Sequence, residues 1–217
     1  MRMLSMFSPG LLLICLSQIA LAADPQLESI TTAPPDTVPA AVRDSLATPA
    51  ARVTVEGRVL GEFWMRKDLP TSEGANAGLS INFTTIPSST LAGVVHFPEA
   101  WSDYKGQTIP GGWYSMRYEV EPSDGNHMGV SAYRDFLLLV PLPTDSDVNA
   151  KYTENELVDL SRKASGTNHP AVLSLFPVHE EITEPKLVQN DIGQWTLAVP
   201  VGSVRLGLVL LGHGEGG

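Results

Sequence analysis

Hydrophobic and polar positions alternate along much of the chain beyond residue 52. "RVTVEGRVLGEFWM" alternates at Val53, Val55 and then Val59, and Gly57 and Gly61 interrupt the alternation where a bulge or bend fits. "AGLSINFTTIP" alternates Leu79, Ile81 and Phe83, and "TLAGVVHFP" reads as a third strand. In "GGWYSMRYEVEP" a period of two puts Trp113, Ser115, Arg117 and Glu119 on one face. Tyr114, Met116, Tyr118 and Val120 take the other face. "YRDFLLLVP" is apolar without a break, which suits a strand buried on both sides. "AVLSLFPV", "QWTLAVPV" and "SVRLGLVLL" add three more, with Gly, Pro and Asn turns between most of them. The pattern predicts a mostly β fold, an antiparallel β-sandwich of jelly-roll or immunoglobulin-like type.

One segment has the helical period instead. "YTENELVDLSRKAS" offers Thr153 as N-cap with Glu156 three residues on, which is a capping box. Glu154 and Glu156 suit the N-terminal end of the helix dipole, and Arg162 and Lys163 the C-terminal end. Leu157, Leu160 and Ala164 line one face, and Gly166 stops the helix. A short helix is therefore expected near 153–164.

The start of the chain follows other rules. Arg2, the mostly apolar residues 11–21 and the small-x-small run Ala20-Leu21-Ala22 read as a secretory leader over 1–22. Cys15 follows Ile14, too large for a lipoprotein cleavage motif. Residues 23–51 carry Pro34, Pro35, Pro39 and Pro49 and no aromatic, so they read as a Pro/Ala-rich spacer. A helical turn fits "PAAVRDSLA" after Pro39. The expected division is leader 1–22, spacer 23–51, β-domain 52–212 and flexible tail 213–217, with a periplasmic or extracellular destination and no membrane insertion after leader removal.

Composition narrows the chemistry. Cys15 is the single cysteine and falls within the leader, so a mature chain would have no disulfide, thiolate metal site or thiol nucleophile. The 14 Lys+Arg stand against 24 Asp+Glu, a net charge of −10. That excess argues against a nucleic-acid partner, which needs clustered basic residues. No basic run exists to hold an anionic membrane surface.

Two turns attract attention. "DGNHMG" carries His127 and Met128, and "GTNHPA" carries His169. Asn126 and Asn168 suit tight turns, which explains both segments without any ligand. The alternative is a metal site of His127, Met128 and His169 on one rim, provided the strands that follow them run the same way. Imidazole with thioether suits copper, and imidazole with Asp124 or Asp135 suits zinc and other divalent ions. No cofactor is expected outside that reading.

Trp64, Trp101, Trp113 and Trp195 are either core residues or, where exposed, platforms for sugar rings. "PEAWSDYKGQ" puts Trp101 and Tyr104 in a polar loop, and these two with Asp124 and Asp135 are the candidate ligand-binding residues. Hydrolase signatures fall short. Ser131 in "GVSAY" has Tyr133 where a nucleophile elbow needs glycine. Glu180 and Glu181 are adjacent, so in a strand they would point apart. "NFT" is a formal glycosylation acceptor at Asn82.

The runs "YKGQTIPGGWYSMRYEVEPSDGNHMGVSAYRDFLLLVP" and "LSRKASGTNHPAVLSL" resemble a family of secreted bacterial proteins of unknown function, over roughly residues 53–211. The resemblance implies a compact secreted β-domain and brings no assigned chemistry. The functional expectation is a non-catalytic envelope domain that binds a small-molecule ligand or a partner. The alternatives are a periplasmic copper- or zinc-binding protein and a hydrolase with an unrecognised site.

Overall fold

The computed structural model describes residues 24–76, 78–103, 106–121, 133–190 and 193–212. Its strands are β1 (Gln26–Ile30), β2 (Ala50–Val55), β3 (Arg58–Met65), β4 (Leu91–Phe97), β5 (Trp101–Ser102) and β6 (Thr108–Ile109). They continue with β7 (Gly112–Val120), β8 (Asp135–Pro141), β9 (Val172–Pro177), β10 (Lys186–Gln189), β11 (Trp195–Val201) and β12 (Val204–Leu211). Helices are α1 (Ala40–Ser45) and α2 (Glu154–Ser165). A 10-stranded sheet runs in the order β1-β2-β3-β4-β7-β8-β9-β12-β11-β10, and β5 and β6 form a separate two-stranded ribbon. Neighbours in the large sheet are antiparallel. Its two edges, β1 and β10, come together, so the sheet rolls up almost into a barrel. The fold is mostly β and antiparallel with one substantial helix, as the pattern predicts. The two layers of a sandwich are here two halves of one rolled sheet.

Alternation explains what lies inside. Val53, Phe63, Val95, Met116, Leu137, Leu173, Leu197 and Leu208 come from eight strands and share one buried cluster. Phe63 meets Phe97 edge to face at 6.1 Å, a favoured arrangement for aromatic pairs. Gly93 lets strands approach closely, because a Cβ there would sit 2.4 Å from the carbonyl oxygen of Trp64. Glu56 and Gly57, with φ of 50° and 77°, make the turn between β2 and β3. Positive φ at both central residues is what a type I′ hairpin turn requires. The space within the rolled sheet is thus occupied by side chains.

The outer face is covered in patches. Ile30, Val38, Val42 and Leu46, from β1 and the α1 region, pack on Trp64, Leu91 and Val94. The segment read as a spacer over 23–51 therefore belongs to the fold from residue 24 on: β1 pairs with β2, and α1 seals the outer surface. Its prolines bound the two elements rather than preventing them. Helix α2 lays Leu157 on Leu138 and Val140 of β8. Its capping box forms, with Thr153 Oγ1 accepting from the Glu156 backbone and Glu156 Oε2 accepting from the Thr153 backbone. Gly166 ends it at φ 67°. "AGLSINFTTIP" is not a strand. Asn82 and Phe83 donate their backbone N–H groups to the Asp135 carboxylate at 2.7 and 3.1 Å, not to a ladder. Ser80 is at φ 61° and Leu79 is 89% exposed.

The polar face of β7 is buried as well. Arg117, fully enclosed, donates from Nε and Nη2 to the two Asp145 oxygens at 2.6 and 2.7 Å. Nη1 donates to the carbonyls of Ser89 and Ala150, and Nη2 also to that of Asp147. Ser115 donates to Asp145 Oδ2, and the Tyr152 hydroxyl donates to Oδ1 at 3.1 Å. The Tyr152 ring lies 5.0 Å from the guanidinium carbon. The ion pair is thus fully hydrogen-bonded, the condition under which a buried pair is tolerated.

Glu119, two residues further along the same face, is less well served. It is 5% exposed, Oε1 accepts from the Val120 N–H at 3.0 Å, and Oε2 has no partner. Burial pushes its pKa up, and the nearby Glu154 charge adds to this, while Ser88 and the Val120 N–H pull the other way. A carboxyl whose pKa rises on folding contributes stability below its unfolded pKa and loses it as pH rises through the folded one. Glu119→Gln removes that titration. Relative to wild type it should gain about 1 kcal/mol, roughly 3 °C in Tm, between pH 4 and pH 8. Melting curves across that range check this, and a Tm difference independent of pH would contradict it.

Candidate functional site

The residues singled out by sequence fall in different places. His127, Met128 and Asp124 lie outside the described residues, as does Tyr104. His169 is exposed, in the turn after α2, where its backbone carbonyl accepts from Ser165 Oγ at 2.6 Å. The condition for joining the two histidine turns is not met. β8 and β9 are antiparallel neighbours, so their starting ends lie at opposite ends of the sheet.

Trp101 is a correction. It is not a loop platform but the first residue of β5, 6% exposed, and it stacks on Phe97 at 5.0 Å with rings 1° from parallel. Its indole N–H donates to the Leu210 carbonyl at 3.0 Å. Apolar stacking and a satisfied N–H make it a plug at one end of the rolled sheet. It also borders a cleft of about 280 Å³ with Val55, Arg58, Leu60, Glu99 and Leu211, just under the roughly 300–1,000 Å³ usual for ligand pockets. Asp135 is a correction of the same kind. It is 1% exposed, and besides the Asn82 and Phe83 backbones it accepts from Asn82 Nδ2 and the Tyr118 hydroxyl at 3.1 and 2.7 Å. Burial, then Asp135, drive the Tyr118 pKa upward. Asp135 fastens the 78–87 loop to the sheet; it is not presented to a ligand. The same bond commits the Asn82 amide.

A different group is presented. Sheet register sets Glu28 opposite Arg52, Arg52 opposite Glu62, Glu62 opposite His96, and His96 opposite Trp113. One transverse row thus crosses β1, β2, β3, β4 and β7 on the outer face. Directly opposed side chains start about 5 Å apart, close enough to interact, and these do. Arg52 donates from Nε and Nη2 to Glu62 Oε1 at 2.9 and 2.6 Å, and its Nη1 is 3.5 Å from Glu28 Oε2. His96 Nδ1 is 3.1 Å from Glu62 Oε2. The imidazole stacks on Trp113 at 4.5 Å and 13°, and Trp113 meets Trp64 at 5.2 Å. Trp64 is held in turn by its indole N–H on the Thr32 carbonyl at 3.1 Å.

The row is half open. Side-chain exposure is 60% for Glu28, 34% for Arg52, 16% for Glu62 and 27% for His96. The Glu62 hydrogen bond holds the Arg52 guanidinium above its ordinary pKa, against a partial loss of solvent. Glu62 divides its two oxygens between a guanidinium and an imidazole, so it orients both. Acceptors and donors alternate with little net charge, beside an aromatic surface. Sequence reasoning named His96 and Trp113 only within their residue types and missed Glu28, Arg52 and Glu62. Finding them needs the register of five strands, including a bulge between Val53 and Thr54.

Chemically, the row can hydrogen-bond and stack. The ring nitrogen of His96 with a partner is engaged by Glu62, and the nearby Ser115 hydroxyl is spent on Asp145. No family model, curated protein or solved structure matches the chain.

If the row serves binding rather than folding, its loss should leave the fold standing. Glu62→Gln, which keeps an acceptor oxygen, and His96→Ala should each cost no more than about 1 kcal/mol, close to the range of surface pairs. Trp64→Ala beneath them, at 3% exposure, should cost about 3–5 kcal/mol. Denaturant melts of the three variants check this. A cost for Glu62→Gln equal to that of Trp64→Ala would make the row a structural element.

Proposed function

We propose that this protein is an exported, non-catalytic β-domain of the cell envelope that binds a hydroxyl-rich ligand, a glycan segment, along the Glu28–Arg52–Glu62–His96–Trp113 row. The observation that carries the reading is the row itself: four polar side chains in register, partly exposed and mutually oriented, ending on stacked aromatics. Sugars present hydroxyls that both donate and accept, together with apolar ring faces. Carboxylate, guanidinium and imidazole groups supply matching acceptors and donors, and an indole supplies an apolar surface with a polar edge. Oriented side chains lose little freedom on binding, which favours affinity.

Two further facts support it. Side chains fill the inside of the rolled sheet, which leaves the outer surface for recognition. The leader pattern over residues 1–22 supports export, and the acidic balance supports a ligand that is not a polyanion.

Sedimentation with purified peptidoglycan sacculi, cellulose and chitin, with soluble oligosaccharides as competitors, tests the reading. Wild type should pellet with at least one polymer. Arg52→Ala and His96→Ala should each weaken that binding by about tenfold, the loss expected for one or two hydrogen bonds to a charged or aromatic-stacked group. Failure of the wild type to bind any polymer, or unchanged binding by both variants, would contradict it.

A further inference from the structure

The cleft of about 280 Å³ beside Trp101 shares no residue with the Glu28–Trp113 row. The β2–β3 hairpin supplies Val55, Arg58, Val59 and Leu60, the segment entering β5 supplies Glu99 and Trp101, and Leu211 ends β12 there. Two β-bulges shape this lining. Val59 lies opposite Thr54 and Gly61 opposite Val53, which leaves Leu60 as an extra residue in β3. Successive residues of a regular strand point to opposite faces, but across this bulge Val59 and Leu60 both border the cleft. In the same way Val209 lies opposite Thr196 and Leu211 opposite Trp195, which leaves Leu210 extra in β12. The Leu210 carbonyl is the group that accepts the Trp101 indole N–H. Bulges recur at barrel rims and beside functional sites, where they re-aim side chains.

Two opposite charges stand over this apolar lining. Arg58 Nη1 is 3.8 Å from Glu99 Oε2, beyond hydrogen-bonding reach. The two side chains are 80% and 70% exposed, and an ion pair so exposed adds little to stability. Both groups therefore keep their hydrogen-bonding capacity for a third. A cation and an anion side by side over an apolar floor complement a molecule with a carboxylate, an ammonium and an apolar group on one carbon. A guanidinium takes a carboxylate through two parallel hydrogen bonds, and a glutamate accepts from an ammonium. The volume, just below the usual range for drug-sized ligands, suits a molecule of that small size. Being neutral overall, such a ligand is not repelled by the net charge of −10.

We propose that this cleft binds a free α-amino acid with a large apolar side chain, of the size of leucine or phenylalanine. Its carboxylate meets Arg58, its ammonium meets Glu99, and its side chain packs against Val59, Leu60 and Trp101. The site does not depend on the glycan reading, since none of its residues belongs to that row.

Titration calorimetry of the full chain tests it, with L-leucine, L-phenylalanine, glycine, N-acetyl-L-leucine and L-leucinamide as probes. Leucine or phenylalanine should bind saturably. Glycine lacks the apolar group, N-acetyl-leucine the ammonium and leucinamide the carboxylate, so each should bind about tenfold more weakly or worse. Arg58→Gln and Glu99→Gln should each weaken leucine or phenylalanine binding by a similar factor. Their Tm should stay with wild type, since both side chains are exposed, and a melt of each variant separates lost binding from lost folding. Absence of binding by both amino acids, equal binding of any of the three truncated probes, or full affinity in both variants would overturn the proposal.

Discussion

The buried pair of Arg117 and Asp145 is the contact on which the outer half of the structure depends. It sits on the face of β7 turned away from the main core, where an arginine would ordinarily meet water. The guanidinium instead binds Asp145 and the carbonyls of Ser89, Asp147 and Ala150. Three separate stretches of chain therefore converge on one side chain: the segment before β4, strand β7, and the crossover after β8. Ser89 reinforces the join, since its backbone N–H donates to the Tyr118 carbonyl and its hydroxyl accepts from the Tyr152 N–H at 2.9 Å. The crossover then delivers Thr153 as the cap of α2, so the position of that helix over β8 follows from the same knot. Removing two charges from water is repaid only when geometry is good and the remaining hydrogen-bonding positions are filled.

This arrangement separates structure from recognition. The inside of the rolled sheet is given to packing, closed by Trp101 near one end and by the loop that Asp135 holds near β8. The outer face divides into covered parts, under α1, the crossover and α2, and a part that remains half open. The row from Glu28 to Trp113 lies at that margin, with its aromatic end on Trp64 and its charged end towards the sheet edge at β1. Rigid strands hold its side chains, and a rigid frame is what positions binding groups well.

Much of the local structure was legible in the sequence, because it depends on neighbours a few residues apart. The two faces of β7, the capping box at Thr153 and the stop at Gly166 all follow from spacing alone. What pairs across the chain was not legible. The Trp113, Ser115, Arg117 and Glu119 face looks like a solvent face by polarity, yet a crossover from residues 142–152 covers most of it. Leu79, Ile81 and Phe83 alternate like a strand, but a distant carboxylate captured the backbone N–H groups that a ladder would need. Proline-rich 23–51 reads as a spacer because the short β1 and α1 derive their stability from packing and pairing, which composition does not show. The candidate row escaped for the same reason: each member is an ordinary strand residue, and only the register of five strands makes them a group.

A double-mutant cycle on Arg117 and Asp145 tests the central claim most directly. Chemical denaturation would be measured for wild type, Arg117→Met, Asp145→Leu and the double variant. Each single change strands a buried charge and should cost about 3–5 kcal/mol. The double change removes both charges, so its cost should fall below the sum of the singles by at least about 2 kcal/mol. Small, additive losses of under about 1 kcal/mol each would show that the pair is incidental and that the outer half of the fold is held by other contacts.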